Sequence, residues 1–184
     1  VYLVVFAVMM LFHGTLSDSF GRRPVVLVNL ALFTLASAGC TLAASFEQLL
    51  FFRALQGASA GAGIVVGRAI IRDTFEGHAA QRLMALVTII FGLAPALAPI
   101  VGAWLQGAFG WRAVFAFLVV YGAAVLVACA LGLRESLPLA ARQPFRMGVL
   151  ARNYWTAVAR VFKAAWALPP RKSRLMHGAG IVSM

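Results

Sequence analysis

Five apolar segments, separated by short polar connectors, account for most of the first 133 residues. They cover residues 1–16, 24–44, 49–71, 83–107 and 113–133. Apolar runs of about 18 residues or more are typical of helices that cross a lipid bilayer. The last four segments therefore predict membrane-spanning helices, and the first predicts the remainder of another helix, too short to span unless residues precede it. The predicted fold class is all-α, a polytopic transmembrane helical bundle.

Beyond residue 135 the pattern changes from apolar to basic. Residues 142–184 contain eight Lys and Arg and no Asp or Glu. Apolar residues recur at helical spacing between Leu150 and Trp166 with basic residues among them, which predicts a basic helix on the membrane surface. The sequence thus divides into a transmembrane part, residues 1–135, and a basic cytoplasmic tail, residues 136–184.

Composition and charge agree with a membrane protein. Of the 184 residues, 62% are hydrophobic and 11% are charged, and the formal net charge is +11. In a soluble protein this charge would suggest nucleic-acid binding, but here the basic residues lie in connectors and in the tail, where they orient the chain against anionic lipid. We therefore expect the lipid bilayer, and no nucleic acid, as a partner. The more basic side of the membrane is predicted to be cytoplasmic, and its connectors carry Arg22, Arg23, Arg72, Arg82 and Arg134.

The connector between the first two segments is short and charged. Asp18 follows the C-terminal end of an apolar segment, where the helix macrodipole disfavours an acid, so it requires a cationic partner. Gly21 permits a reversal of the backbone, Arg22 and Arg23 supply positive charge, and Pro24 suits the first turn of the next helix. These residues predict a tight, charged hairpin between two membrane helices.

The same connector resembles a motif of a known transporter family. Gly14, Asp18, Gly21, Arg22 and Arg23 reproduce the G-x-x-x-D-x-x-G-R-R signature between the second and third helices of major facilitator transporters. The alternative, an ordinary positive-inside loop, requires neither the acid nor the glycines. The resemblance implies that the chain supplies helices two to six of the N-terminal half of such a transporter, with helix one absent.

A second motif lies near the start of the third segment. Arg53, Gln56 and Gly57 fall on one helix face, and an arginine inside the membrane is by default a functional candidate. Spacing alone leaves open the alternative that Arg53 reaches back to the outer surface. The R-x-x-Q-G pattern resembles the fourth-helix motif of drug:proton antiporters, which implies a place for Arg53 near the proton-coupling path.

Two further features are interpreted through the same resemblance. Arg72 and Asp73 end the third segment on the side of Asp18 and Arg22, where family members form an ion-pair cluster that helps to hold the outward-open state. The resemblance thus implies a cytoplasmic latch that consists of Gly14, Asp18, Gly21, Arg22, Arg23 and Asp73. On the fourth segment two glycines and two prolines share one face, predict a bent and closely packed helix, and resemble the antiporter motif of the Bcr/CflA drug-resistance branch. These four hinge residues are Gly92, Pro95, Pro99 and Gly102.

Three other interpretations follow from the sequence. Gly57 to Gly61 read G-x-S-x-G, so Ser59 could be the nucleophile of an intramembrane serine protease, but catalysis would need a His beside it, and we expect none at that depth. A half-size transporter could work as an oligomer. A truncated coding sequence, with a frame shift near residue 160, would give a fragment that is inactive alone.

The resemblance implies multidrug efflux by proton antiport within a full-length transporter of a bacterial inner membrane, rather than an enzyme. The driving force would be the proton gradient, with no cofactor and no metal. Partners would be a drug-like molecule or metabolite and the missing second half of the transporter. All five acids lie in connectors or at their edges, so the coupling acid is expected on the missing first helix.

Overall fold

Five long α-helices follow one another with very short connections in the computed structural model, which describes residues 1–143, Thr156 and Lys163. Residues 1–143 lie within the first of two units of the chain, Val1–Phe145, and contain no strand. A single 3-10 turn, Leu139–Ala141, follows the last long helix. The helices are α1 Tyr2–Phe20, α2 Arg22–Leu42, α3 Phe46–Thr74, α4 Gly77–Phe109 and α5 Trp111–Gly132.

All five helices are long and apolar enough to span a membrane, which confirms the predicted all-α transmembrane class. The first segment is longer than predicted, because α1 has 19 residues and continues through Asp18. The end of α3 likewise continues through Arg72 and Asp73. Apolar runs mark only the part of a helix in the hydrocarbon core, whereas the helix can continue into the hydrated headgroup region, where charges are tolerated. The predicted tail, residues 136–184, lies for the most part outside the described residues.

The helix α3 packs against both α1 and α2, and α2 also packs against α5. The buried core at these contacts is small and is formed by Val25, Val26, Ala62 and Val66. Most large apolar side chains point outward, as expected when lipid rather than water surrounds the bundle. The helix α4 contacts α5 and α3 but buries none of its own residues.

Small residues bring α1 and α3 close together. A Cβ added to Gly57 would lie 2.5 Å from the carbonyl oxygen of Tyr2, and one added to Gly61 would lie 2.9 Å from Cγ of Met10. Close approach through small residues is how membrane helices gain packing energy without a hydrophobic driving force. Gly63, two residues further along α3, faces an open apolar groove of about 670 Å³ that residues from all five helices line.

Replacing Gly57 by alanine should therefore destabilise the bundle. The new methyl group would meet a backbone oxygen that cannot move without shifting α1, and overpacking of this kind costs about 1–3 kcal/mol. Gly63→Ala is the matched control, because a Cβ there has no neighbour within 4 Å and alanine favours the helix. Thermal unfolding of both variants in detergent measures the difference, and equal midpoints would contradict the close approach of α1 and α3.

Candidate functional site

The joint between α1 and α2 consists of a single residue. Gly21 has φ 100° and ψ 156°, a backbone region that only glycine occupies readily. Its surroundings are also crowded, because an added Cβ would lie 2.6 Å from Oε2 of Glu135 and 2.7 Å from Nη2 of Arg142. Glycine is thus required twice at this position, once for the backbone turn and once for the approach of residues that follow α5.

The side chain of Arg22 joins the ends of three helices. Its Nε donates to Oδ2 of Asp73 at 2.9 Å, and its Nη1 donates to the carboxylate of Asp18 and to Oγ of Ser17, the latter at 2.7 Å. The Arg22 side chain is only 10% exposed, against 44% for Asp18 and 26% for Asp73. The structure therefore brings together the three residues that the sequence placed on one side of the membrane. We call Asp18, Arg22 and Asp73 the ion cluster.

Each member of the ion cluster is placed unfavourably with respect to its own helix. Asp18 and Asp73 lie in the last turns of α1 and α3, where the helix dipole presents negative charge, and Arg22 lies in the first turn of α2, where it presents positive charge. The attraction between the side chains offsets these local penalties only while the three helix ends remain together. Separating the ends of α1, α2 and α3 would therefore cost electrostatic energy.

A fourth charged residue, Glu135, binds the same joint through the backbone. Its Oε1 accepts from the N–H of Arg22 at 2.9 Å, and its Oε2 accepts from the N–H of Arg23 at 3.3 Å. These N–H groups belong to the first turn of α2, which has no intrahelical partners and attracts anions. Glu135 was not predicted as part of the site. The sequence contained one indication of such a partner. The N-cap residue of α2 is Gly21, which has no side chain that could accept these hydrogen bonds.

The segment after α5 folds over the joint. Nη2 of Arg23 donates to the carbonyl oxygen of Ala130 at 3.0 Å rather than to the ion cluster. Nη2 of Arg142 lies 3.6 Å from Oε2 of Glu135, and the N–H of Gln143 donates to the carbonyl oxygen of Asp18 at 3.1 Å. We call residues 133–143 the α5 connector. It makes the end of α5 part of the same polar structure as the ends of α1, α2 and α3.

Glu135→Gln should weaken this structure while preserving its shape. Oε1 of Glu135 also accepts from the N–H of Leu137 at 3.1 Å. An amide keeps only one of the two acceptor oxygens, so at least one backbone bond is lost, at a cost of about 1 kcal/mol. Glu76→Gln is the control, because Glu76 is the N-cap of α4 yet makes no side-chain capping bond. Chemical denaturation of the two variants in detergent would reveal the difference, and a loss confined to Glu76→Gln would refute the capping role.

A second polar network lies near the other end of α3. Nη1 of Arg53 donates to Oε1 of Gln56 at 2.7 Å, Nε2 of Gln56 donates to Oγ of Ser37 at 2.7 Å, and Ser37 donates to the carbonyl oxygen of Phe33. Gln56 and Ser37 are completely buried. We call Arg53, Gln56 and Ser37 the Arg53 network. The helix begins at Phe46, three residues earlier than the apolar run predicted, so Arg53 lies deeper in α3 than expected.

Aromatic rings surround the charge of Arg53. Its guanidinium carbon lies 4.5 Å from the ring centroid of Tyr2 and 5.7 Å from that of Phe115, which are cation–π distances. No ion pair to Arg53 occurs among the described residues. Arg53 and Asp73 are separated along α3 by about 30 Å at 1.5 Å per residue. The Arg53 network and the ion cluster therefore lie at opposite ends of the bundle.

The glycine and proline face of α4 has no neighbour within residues 1–143. The helix remains one α-helix from Gly77 to Phe109 with Pro95 and Pro99 inside it. A Cβ added to Gly92 or Gly102 would meet nothing within 4 Å. The close packing predicted for this face is therefore not made by the part of the chain that the structure describes.

Ser59 has no catalytic partner among residues 1–143. Its Oγ donates to the carbonyl oxygens of Leu55 and Gln56 in its own helix. The expectation that no histidine lies at this depth was wrong, because Nδ1 of His13 would lie 3.4 Å from a Cβ on Gly61. That imidazole is bound through Nε2 to Asn29 instead. The helix α1 continues to Phe20, beyond the apolar run, so His13 lies further from its C-terminal end than predicted.

No group of three or more His, Cys, Asp or Glu that could hold a metal ion occurs among the described residues. Several charged groups instead pair with one another or with the backbone at the ends of helices, as Asp18, Arg22, Asp73 and Glu135 do. Such an arrangement can fix the relative positions of helices.

Comparisons with known proteins agree with this architecture. Residues 1–182 match the profile of the Major Facilitator Superfamily. The chain is 38% identical over 142 residues to YdgK of Bacillus subtilis strain 168, an uncharacterised MFS-type transporter, covering 76% of this chain and 35% of YdgK. It is 38% identical over 140 residues to the multidrug resistance protein MdtL of Escherichia coli strain K12 / DH10B, covering 76% of this chain and 36% of MdtL.

A solved structure gives the same result for the fold. The crystal structure of the human organic anion transporter MFSD10 (TETRAN) is similar with a TM-score of 0.70 and 27% sequence identity, over 82% of this chain and 35% of that one. The chain thus spans little more than a third of the length of the relatives that it matches. Members of this family are transporters and not enzymes. With five helices that can span a membrane among its described residues, in a partial major facilitator fold, the chain belongs to the Major Facilitator Superfamily.

Proposed function

We propose that this chain contributes helices two to six to a multidrug exporter that works by proton antiport in a bacterial inner membrane. The observation that carries the proposal is the 38% identity over 140 residues to MdtL, whose name records multidrug resistance. In transporters of this fold two halves rock about a central substrate site. The motif of α4 resembles that of the Bcr/CflA branch, which favours antiport.

In this proposal the ion cluster and its joint form the cytoplasmic latch. Moving the end of α1, α2 or α3 away from the others would leave Arg22 or a carboxylate unpaired in a partly buried position, which is costly. The latch would therefore favour one closed arrangement over intermediate ones, as bistable contacts do in conformational switches. Glu135 and Arg142 extend this role to the end of α5.

The Arg53 network would lie along the proton-coupling path. Its buried hydrogen bonds hold the guanidinium in one orientation, and the aromatic rings stabilise its charge without neutralising it. A carboxylate on another helix could then pair with Arg53 when ionised and separate from it when protonated. The open face of α4, with Gly92 and Gly102, would serve as the surface on which the second half of the transporter packs and hinges.

Transport by the complete protein that carries this segment tests the proposal. Purified protein in lipid vesicles should move cationic drugs against a gradient when an inward proton gradient is imposed, and collapse of that gradient by a protonophore should stop transport. Arg53→Gln should abolish the proton-driven component, whereas Arg68→Gln, at an exposed site on the same helix, should preserve it. Drug movement that persists after the proton gradient has collapsed would refute antiport.

An organic anion is the second candidate substrate. The structural relative MFSD10 is described as an organic anion transporter, and the Arg53 charge has no carboxylate partner within the described residues. A substrate carboxylate could supply that partner. In the same vesicles, uptake of an organic anion that is lost in Arg53→Gln, together with no movement of cationic drugs, would favour this candidate over multidrug efflux.

A further inference from the structure

His13 is a buried histidine that neither the latch nor the Arg53 network uses. It lies on α1 where α1 meets both α2 and α3, and it is 0% exposed. Its Nε2 is 3.0 Å from Oδ1 of Asn29 on α2, and its Nδ1 points toward Gly61 on α3. An ionisable side chain inside a membrane bundle is costly and is a functional candidate.

The hydrogen bonds of Asn29 determine which ring nitrogen carries the proton. Nδ2 of Asn29 donates to the carbonyl oxygen of Val25 at 2.8 Å, so Oδ1 faces His13 and can only accept. Nε2 of His13 must therefore be the donor. In the neutral imidazole this leaves Nδ1 as a bare acceptor, and Nδ1 is indeed buried without a hydrogen-bond partner among the described residues. An unpaired polar atom of this kind is uncommon in a folded protein and calls for an explanation.

The charged groups on the helices around His13 supply no acceptor for a proton on Nδ1. On α2, Arg22 is linked to the same face of α1, because its Nη1 donates to Ser17, four residues after His13. On α1 itself, Asp18 is already paired with Arg22. On α3, the charges nearest in sequence to Gly61 are Arg53 and Arg68, both positive and about 10–12 Å away along the helix. None of these groups makes a hydrogen bond to Nδ1 of His13.

We propose that His13 is a proton-binding site whose occupancy controls the packing of α1 against α3. A proton added to the lone pair of Nδ1 creates a buried donor that has no acceptor among the described residues. A buried donor without an acceptor disfavours the packed arrangement. By linkage, the arrangement in which α1 moves away from Gly61 and exposes Nδ1 is the one that takes up the proton. Acidification therefore loosens the α1–α3 contact, and alkaline conditions favour it.

Nuclear magnetic resonance of labelled histidine tests the proposal without any transport assay, so its outcome is independent of the proposed efflux activity. The chain has three histidines, and His78→Gln with His177→Gln leaves His13 alone. In lipid nanodiscs at neutral pH, the ¹⁵N spectrum should show a neutral ring protonated at Nε2. As the pH is lowered, a cationic ring should appear together with a longer distance between spin labels at Val8 on α1 and Arg68 on α3, both exposed positions.

Two variants separate His13 from general effects of acid. The distance change should be lost in His13→Gln, which cannot bind a proton, and retained in His78→Gln, which removes an exposed histidine. A neutral ring protonated at Nδ1, a cationic ring without a change in distance, or a distance change that persists in His13→Gln would each overturn the proposal. The first two results come from chains that retain His13, so the test does not depend on whether His13→Gln folds.

Discussion

Replacing Arg22 by methionine should destabilise the chain by about 2 kcal/mol. The substitution keeps the length of the side chain but leaves Asp18 and Asp73 facing each other without the cation that both bind. Each carboxylate would then lie at the negative end of a helix dipole beside a like charge. We place the cost below that of a fully buried ion pair because both carboxylates are partly hydrated. Denaturant unfolding in detergent micelles measures the change.

Arg72→Met is the matched control for this experiment. It removes the same charge beside Asp73, but Arg72 is exposed and has no recorded ion pair in the described part of the chain. It should shift the free energy of unfolding by less than 0.5 kcal/mol, the usual range for surface changes. Adding Asp73→Asn should rescue part of the loss in Arg22→Met, because it removes one of the two unpaired carboxylates. Equal effects of Arg22→Met and Arg72→Met would contradict the account.

Gly21→Ala should cost more, about 3 kcal/mol in total. Part of the cost is the backbone conformation, which alanine adopts only with strain of about 1–3 kcal/mol. The remainder arises because the new methyl group occupies the space of the Glu135 carboxylate and the Arg142 guanidinium, so the two capping bonds to α2 are displaced. The measured quantity is again the free energy of unfolding.

Gly110 provides a control for the backbone strain that Gly21→Ala introduces. Gly110 joins α4 to α5 with φ 82° and ψ 171°, similar to Gly21, but a Cβ there would meet nothing within 4 Å. Gly110→Ala should therefore show the strain alone, and the difference between the two variants reports the crowding by the α5 connector. If the two alanine variants lose the same stability, the α5 connector does not pack against the joint.

Much of the fold could be predicted because membrane helices obey strong local rules. Apolar runs located all five helices, since every backbone polar group in the hydrocarbon core must be satisfied within its own helix. Their ends were less predictable. Asp18, Asp73 and His78 lie outside the apolar segments but inside terminal helical turns, because polar and charged residues end an apolar run without ending the helix.

The candidate site was predictable where its residues are close in sequence and obscure where they are not. Arg53 and Gln56 are one turn apart, so their spacing placed them on one helix face, where the structure shows a hydrogen bond between them. Glu135 binds backbone groups that precede it by 113 and 112 residues, and no local pattern indicates such a partner. The pairing of His13 with Asn29 likewise depends on how α1 and α2 lie against each other.

Tyr2 and Phe115 illustrate a different difficulty. Each is an ordinary aromatic residue in an apolar run, and nothing in its neighbourhood marks it as part of a polar site. Their significance appears only when α1, α3 and α5 bring both rings to the guanidinium of Arg53. Sequence reasoning can identify a charge that needs stabilising, but an uncharged partner at a distance is indistinguishable from lipid-facing residues.

The most direct test of the central claim, that the ion cluster is the cytoplasmic latch of a proton-coupled exporter, is proton-driven drug efflux by Asp18→Asn in the complete transporter. The amide keeps the shape of Asp18 but removes the charge that Arg22 binds. The account predicts that Asp18→Asn protein, matched to wild type for the amount folded in the vesicles, loses at least tenfold in efflux rate. Efflux at the wild-type rate would contradict it.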